Sequence, residues 1–248
     1  MTRRSGHMRV RVRGFSLVEL MVGIAVGMFV VAAAALMTSS QLTDNRRLLL
    51  ETQLQQDLRA AADIVARDLR RAGYWAVARN GVPSPTGGAI AANPYSTVLM
   101  PGGSNTAIRY AYRRGAGAES FGFRLDSDGV LRSCQTALTP SGCDSGWQDL
   151  TDGATVQITA FTVATARAGA RAQTANADAL PILCPALCAD GTTACWPKVS
   201  VRELVIAISG HSRTDPAVTR SLELSVRLRN NGVQLSSEAA SGEACPVS

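Results

Sequence analysis

An α+β protein is predicted, in which the second half of one long N-terminal helix packs on an antiparallel β-sheet head with disulfide-tied loops. Three observations in the 248 residues carry this reading. A run without a charge, Leu20 to Met37, passes into a stripe of apolar residues at helical spacing, and the first proline is Pro83. From Ala107 onward the apolar residues alternate with period two. All six cysteines lie downstream of the apolar run.

The helix comes first. After Thr38-Ser39-Ser40 the residues Leu50, Leu54, Leu58, Ala61, Val65, Leu69 and Ala72 recur at steps of four and three, which is one face of a helix. Arg59, Asp63 and Arg67 follow each other at i, i+4 on another face, giving modest ion-pair support. Arg70 and Arg71 place cations at the negative end of the helix dipole, and Gly73 can take the left-handed conformation of a C-terminal cap. The predicted helix runs from about Ser16 to Ala72, about 57 residues or on the order of 85 Å at 1.5 Å per residue. A helix that long needs partners beyond its own domain, and its first half is too apolar for water.

Residues 74–106 are dense in turn formers: Asn80-Gly81, Pro83, Pro85, Gly87-Gly88, Asn93-Pro94 and Pro101-Gly102-Gly103. They read as a connecting loop. Strands are expected at Ala107–Arg113, Glu119–Leu125, Gly129–Ser133, Thr155–Val163, Val201–Ser209 and Thr219–Arg229. The clearest is Leu222 to Leu228, apolar and polar in strict alternation, as in a half-buried antiparallel strand.

Cys134, Cys143, Cys184, Cys188, Cys195 and Cys245 suit a disulfide framework in an exported domain. Cys134 with Cys143 is the first choice, closing a short loop, while the other four tie the 184–195 loop to the C-terminal tail. The rival is a zinc site from Cys184, Cys188 and Cys195, which has irregular spacing and an interrupting Pro185. No metal and no cofactor are expected.

Five arginines (Arg3, Arg4, Arg9, Arg11, Arg13) precede Gly14-Phe15-Ser16-Leu17-Val18-Glu19-Leu20. A basic head before an apolar run has the polarity of an export signal, with a cytoplasmic N-terminus and a translocated body. Without residues 1–14 the balance is 20 basic against 19 acidic residues, because five of the 25 basic residues lie in that head. The basic character therefore belongs to the head, and no nucleic-acid partner is expected. Glu19 breaks the apolar run; a carboxylate at membrane depth is costly unless it lies near the interface or is paired.

The string GFSLVELMVGIAVG resembles the class III signal of type IV prepilins. The resemblance implies that a membrane prepilin peptidase cuts between Gly14 and Phe15 and methylates the new amine of Phe15. It also implies that Glu19 meets the N-terminal amine of a neighbouring subunit, a pairing that a buried carboxylate needs. The segments Asp68–Trp75, Val199–Ser209 and Thr219–Asn231 are similar to parts of PilW-type minor pilins. Departures are the Ala/Thr/Cys-rich stretch 164–198 and a helix lacking the proline that kinks many major pilins. The implied fold is type IV pilin-like: leader 1–14, hydrophobic transmembrane and assembly half-helix 15–42, amphipathic half-helix 43–73, loop 74–106 and β head 107–248.

Some local patterns suggest other chemistry. Asp126-Ser-Asp-Gly129 begins like a calcium loop but no Glu completes it, so a hairpin turn on Asp128-Gly129 is the better reading. Ser209-Gly-His-Ser-Arg-Thr-Asp215 holds Ser, His and Asp, yet triad members normally converge from distant segments. Gly115-Ala-Gly117 lacks the context of a phosphate loop. The expected function is that of a minor pilin in a tip or initiation complex of a type IV pilus, not an enzyme. The alternatives are a type II secretion pseudopilin and a tip-located binding module. Expected partners are the prepilin peptidase, other minor pilins and the major pilin, the inner-membrane assembly platform, and membrane lipid before assembly. The expected location is the bacterial inner membrane, single-pass with a periplasmic head, then the pilus surface.

Overall fold

A computed structural model describes residues 14, 16–81, 91–101, 106–115, 117–138, 143, 145–165, 179–236, 238 and 244–246. It divides into two compact units, one ending at Leu49 and one beginning at Leu50. The first helix, α1 (Leu17–Leu69), enters both.

In the first unit every described residue from Gly14 to Leu49 is exposed. The helix forms there on local terms: no proline, many good helix formers, and an N-terminal cap described below. In the second unit the same helix buries Leu54, Leu58, Ala61, Ala62, Val65, Ala66 and Leu69. The predicted stripe is present, widened by the two alanines, and full burial of each leucine is worth about 1.5–3 kcal/mol. Arg59, Asp63 and Arg67 do lie on the exposed side, but among the described residues they form no ion pair with one another. Exposed pairs of that kind gain little over the entropy of fixing two long side chains.

The helix ends in a tightened turn, Arg71 N–H to Asp68 O at 2.9 Å and Ala72 N–H to Leu69 O at 3.0 Å. Gly73 follows with φ of 77°, and a Cβ there would lie 2.9 Å from the guanidinium of Arg202. Both the left-handed backbone and the close approach demand glycine. The last carbonyls find partners elsewhere: Arg229 N–H donates to Arg70 O at 3.2 Å, Asn230 Nδ2 to Ala72 O at 3.1 Å, and Asn93 Nδ2 to Gly73 O at 2.9 Å. Beyond it lies a short 3₁₀ turn, Ala78–Gly81.

Sheet A is an antiparallel meander, β1 (Val98–Leu99), β2 (Ala107–Arg114), β3 (Gly117–Leu125), β4 (Leu131–Ala137) and β5 (Trp147–Asp149) in that order. Sheet B contains β6 (Val156–Thr165), β9 (Glu203–Ser212) and β10 (Thr219–Arg227), ordered β10-β9-β6. Sheet C is small: β7 (Ala179–Pro181), β8 (Lys198–Ser200) and β11 (Gly232–Gln234), with β8 central. A single sheet was the economical expectation. The chain instead makes two main sheets, because β5 pairs only with β4 and the next strand, β6, pairs with the distant β9 and not with β5. Together they enclose one core, in which the stripe of α1 meets Ile108, Tyr110 and Phe121 of sheet A and Phe161, Leu204 and Ile206 of sheet B. β9 shows the pattern most cleanly, with every second residue from Leu204 to Ser212 buried.

Candidate assembly segment

Three residues set the start of α1. Ser16 Oγ accepts the backbone N–H of Glu19 at 3.2 Å, and Ser16 O accepts Leu20 N–H at 3.1 Å. Ser16 is thus the N-cap and Glu19 the third helical residue, the spacing of a capping box. That pattern was readable in the sequence as Ser16-x-x-Glu19 and was missed there. Glu19 sits in the first turn, where the helix dipole favours a carboxylate, and it is exposed. Gly14 is exposed, and a Cβ on it would meet nothing within 4 Å. Phe15, the predicted site of methylation, lies outside the described residues, as does the head 1–13.

The following turns expose large apolar side chains on all sides, among them Leu17 (74 %) and Phe29 (79 %). The segment is long and apolar enough to cross a membrane. Two of its threonines are compatible with that: Thr38 Oγ1 donates to Ala34 O at 2.9 Å and Thr43 Oγ1 to Ser39 O at 3.1 Å, so both are satisfied within the helix.

In the head the six cysteines are joined as Cys134–Cys143, Cys184–Cys245 and Cys188–Cys195. Cys188 and Cys195 come near the carboxylate of Glu238, but their sulfurs are bonded to each other and Glu238 accepts the N–H of Ala189 at 2.8 Å. As disulfide sulfurs they lack the thiolate charge that a zinc ion requires.

The Asp126–Gly129 stretch is a hairpin turn between β3 and β4, with Gly129 at φ of 78° and its N–H on Asp126 O at 3.0 Å. Its carboxylates face Arg132, which donates to Asp126, to Asp128 Oδ2 at 2.6 Å and to Asp149 Oδ1 at 2.6 Å. The Arg132 hydrogen bonds hold the Asp128 carboxyl below its usual pKa. Guanidinium stands where a calcium ion would have to be. Ser209 and His211 share the less buried side of β9, while the Asp215 carboxylate accepts the N–H of Ala217 at 3.1 Å. Asp215 therefore serves its own turn, and the three are not arranged as a relay.

Two polar sites carry no sequence signal. Asp68 accepts hydrogen bonds from the buried hydroxyls of Tyr110 and of Tyr112, the latter at 2.8 Å. Arg202, 3 % exposed, donates to the carbonyls of Ser96 and of Asn230, the latter at 2.6 Å, and burial lowers its pKa. It links the connecting loop to the segment after β10 and faces no carboxylate among the described residues.

Residues 9–35 match the prokaryotic N-terminal methylation motif, the N-terminal signature of type IV prepilin-like proteins. Residues 47–228, most of the chain, match prepilin peptidase-dependent protein B, and the chain belongs to that family. No curated protein and no solved structure matches it significantly. The motif, the apolar helix and the disulfide-tied head together define a type IV pilin-like protein that prepilin peptidase processes. The motif and helix are consistent with anchoring in the inner membrane.

Proposed function

We propose that this protein is a minor pilin that joins other minor pilins and the major pilin in a tip or initiation complex, acting by assembly and not by catalysis. The observation that carries the reading is the first part of α1, a capped helix whose apolar side chains are all exposed although the chain has a separate, well-filled core. Exposed apolar surface on that scale needs a partner. Lipid supplies it before assembly, and the helices of neighbouring subunits supply it afterwards. In this reading cleavage between Gly14 and Phe15 frees an amine on Phe15, and Glu19 provides the charge that neutralises a neighbour's amine. The head then lies in the periplasm and later at the pilus surface, and the assembly platform lifts the subunit out of the bilayer.

The test is the chemistry of the N-terminus. Mass spectrometry of the membrane form is expected to find methylated Phe15, and Gly14→Leu is expected to leave the leader attached, since the scissile bond needs a small residue. A mature protein beginning at Met1, or near Ser39, would overturn the reading.

A further inference from the structure

We infer that the cleft between the last turns of α1 and the inner face of sheet A seats a carboxylate-bearing segment of a neighbouring subunit, an acidic residue next to an apolar one. The inference rests on the pilin reading above and names the chemistry of a partner.

The cleft is lined by α1 on one side and by β2, β3, β4 and β5 of sheet A on the other. Its volume is about 420 Å³, the size of clefts that hold small ligands. Tyr112, Phe121 and Phe123 form an apolar floor, and where the cover ends the inner positions of β4 and β5 turn polar, as at Gln135. On the helix side Ile64, Arg67 and Arg71 follow at steps of three and four and so share one side. Ile64 is 44 % exposed at the mouth, an apolar residue with room beside it.

Charge decides the occupant. Arg67 has no ion-pair partner among the described residues. The carboxylate nearest Arg71 is Asp68 at 3.9 Å, whose two oxygens already accept the hydroxyls of Tyr110 and Tyr112. The third arginine, Arg114, is tethered: its Nη1 donates to Gln135 Oε1 at 2.9 Å, and Gln135 Nε2 donates to Glu119 Oε2 at 2.9 Å. Among the described residues Arg67 is thus left facing the cleft without a carboxylate, and Arg71 with one that it shares with two tyrosines. A guanidinium pairs best with a carboxylate through paired N–H donors. A bare inorganic anion would leave the aromatic floor unused, whereas Glu or Asp beside an aromatic or aliphatic residue uses both walls.

The experiment uses the full chain in cells, with Ile64→p-benzoylphenylalanine as a photoreactive probe. Irradiation is expected to join it to another subunit that carries the prepilin motif, through a peptide containing Asp or Glu. Arg67→Glu with Arg71→Glu is expected to lower the yield about tenfold, and Arg227→Glu, on β10 and outside the cleft, to leave it unchanged. Thiol alkylation reports whether the three disulfides, and hence the head, have formed. If the charge-reversed chain fails to fold, Arg67→Gln with Arg71→Gln decides, with a smaller loss expected. An unchanged yield in the folded charge variants, or a probe that reacts with no pilin subunit while the chain is processed and co-purifies with pilins, overturns the cleft proposal alone. A chain that is neither methylated at Phe15 nor found with any pilin overturns the functional reading beneath it.

Discussion

Asp68 shows how much one side chain can hold. It leaves α1 near its end and accepts two tyrosine hydroxyls from β2, fixing helix to sheet by hydrogen bonds as well as by apolar contact. Removing the acceptor strands two buried hydroxyls, at about 1–3 kcal/mol each. Asp68→Ala is therefore expected to destabilise the head by about 2–6 kcal/mol in a denaturant titration, and Asp68→Asn, which keeps one acceptor, by about half as much. The same pair makes a prediction in pH. Burial first, and then the hydrogen bond to Asp68, pushes the Tyr112 hydroxyl up to about 12, and burial followed by the charge of Asp68 raises Tyr110 well above the ordinary phenol value. A free phenol loses its proton near 10. The folded state holds the proton more tightly, so this stabilisation is fully present below about pH 10 and is lost as pH rises towards 12. An alkaline loss of near-ultraviolet circular dichroism in that window is expected, with part of the pH dependence removed in Tyr112→Phe.

At the scale of the element, the sequence was legible wherever a period had room to show. α1 repeats its apolar step over many turns, β2, β3, β6, β9 and β10 each run for eight residues or more, and β9 alternates throughout, so element type follows from length and pattern. β5, β7, β8 and β11 have three residues each, too few to carry a period, and they went unread. The division into two sheets was also hidden, since strand order depends on contacts far apart in sequence. Asp68 and Arg202 escaped for the same reason: an ordinary-looking charge became a buried anchor only through residues scattered along the chain. The disulfides allow a graded test of how elements are held. Cys184–Cys245 spans 61 residues and Cys188–Cys195 only 7. If loop closure in the unfolded chain dominates, removing the first costs about 2 kcal/mol more than removing the second. Cys184→Ser with Cys245→Ser is expected to lower the head's melting temperature more than Cys188→Ser with Cys195→Ser, while helical circular dichroism from α1 persists in both. Equal losses would show that local strain or residual structure, not loop length, sets the stabilisation.

At the scale of the whole molecule, the question is what Glu19 does once the chain has left the bilayer. Its backbone N–H donates to Ser16 Oγ, and any residue but proline at position 19 can make that bond, so replacing the side chain with Ala leaves the helix start capped. Glu19→Ala therefore removes a charge with little change in fold. It is expected to be inserted and cleaved like the parent, because the residues at the cut, Gly14 and Phe15, are untouched. Assembly is where the loss should appear: an amine buried among subunits without its carboxylate is a broken buried pair, at about 3–5 kcal/mol. Glu19→Gln separates charge from hydrogen bonding, since the amide keeps an acceptor and removes only the negative charge. Position in the complex modulates the size of the defect. A subunit with neighbours on both sides would lose co-purification with the other pilins and reduce pilus number in both variants. A subunit at the very end of the complex has a neighbour on one side only: where its own Glu19 has nothing to meet, Glu19→Ala would be tolerated, and where its own amine has nothing to meet, the loss would still appear. Co-purification and pilus counts for Glu19→Ala, read beside a variant that removes the Phe15 amine by blocking cleavage, distinguish the two positions. Normal pilation together with undiminished co-purification in Glu19→Ala, in a chain shown not to be terminal, would remove Glu19 from the assembly contact.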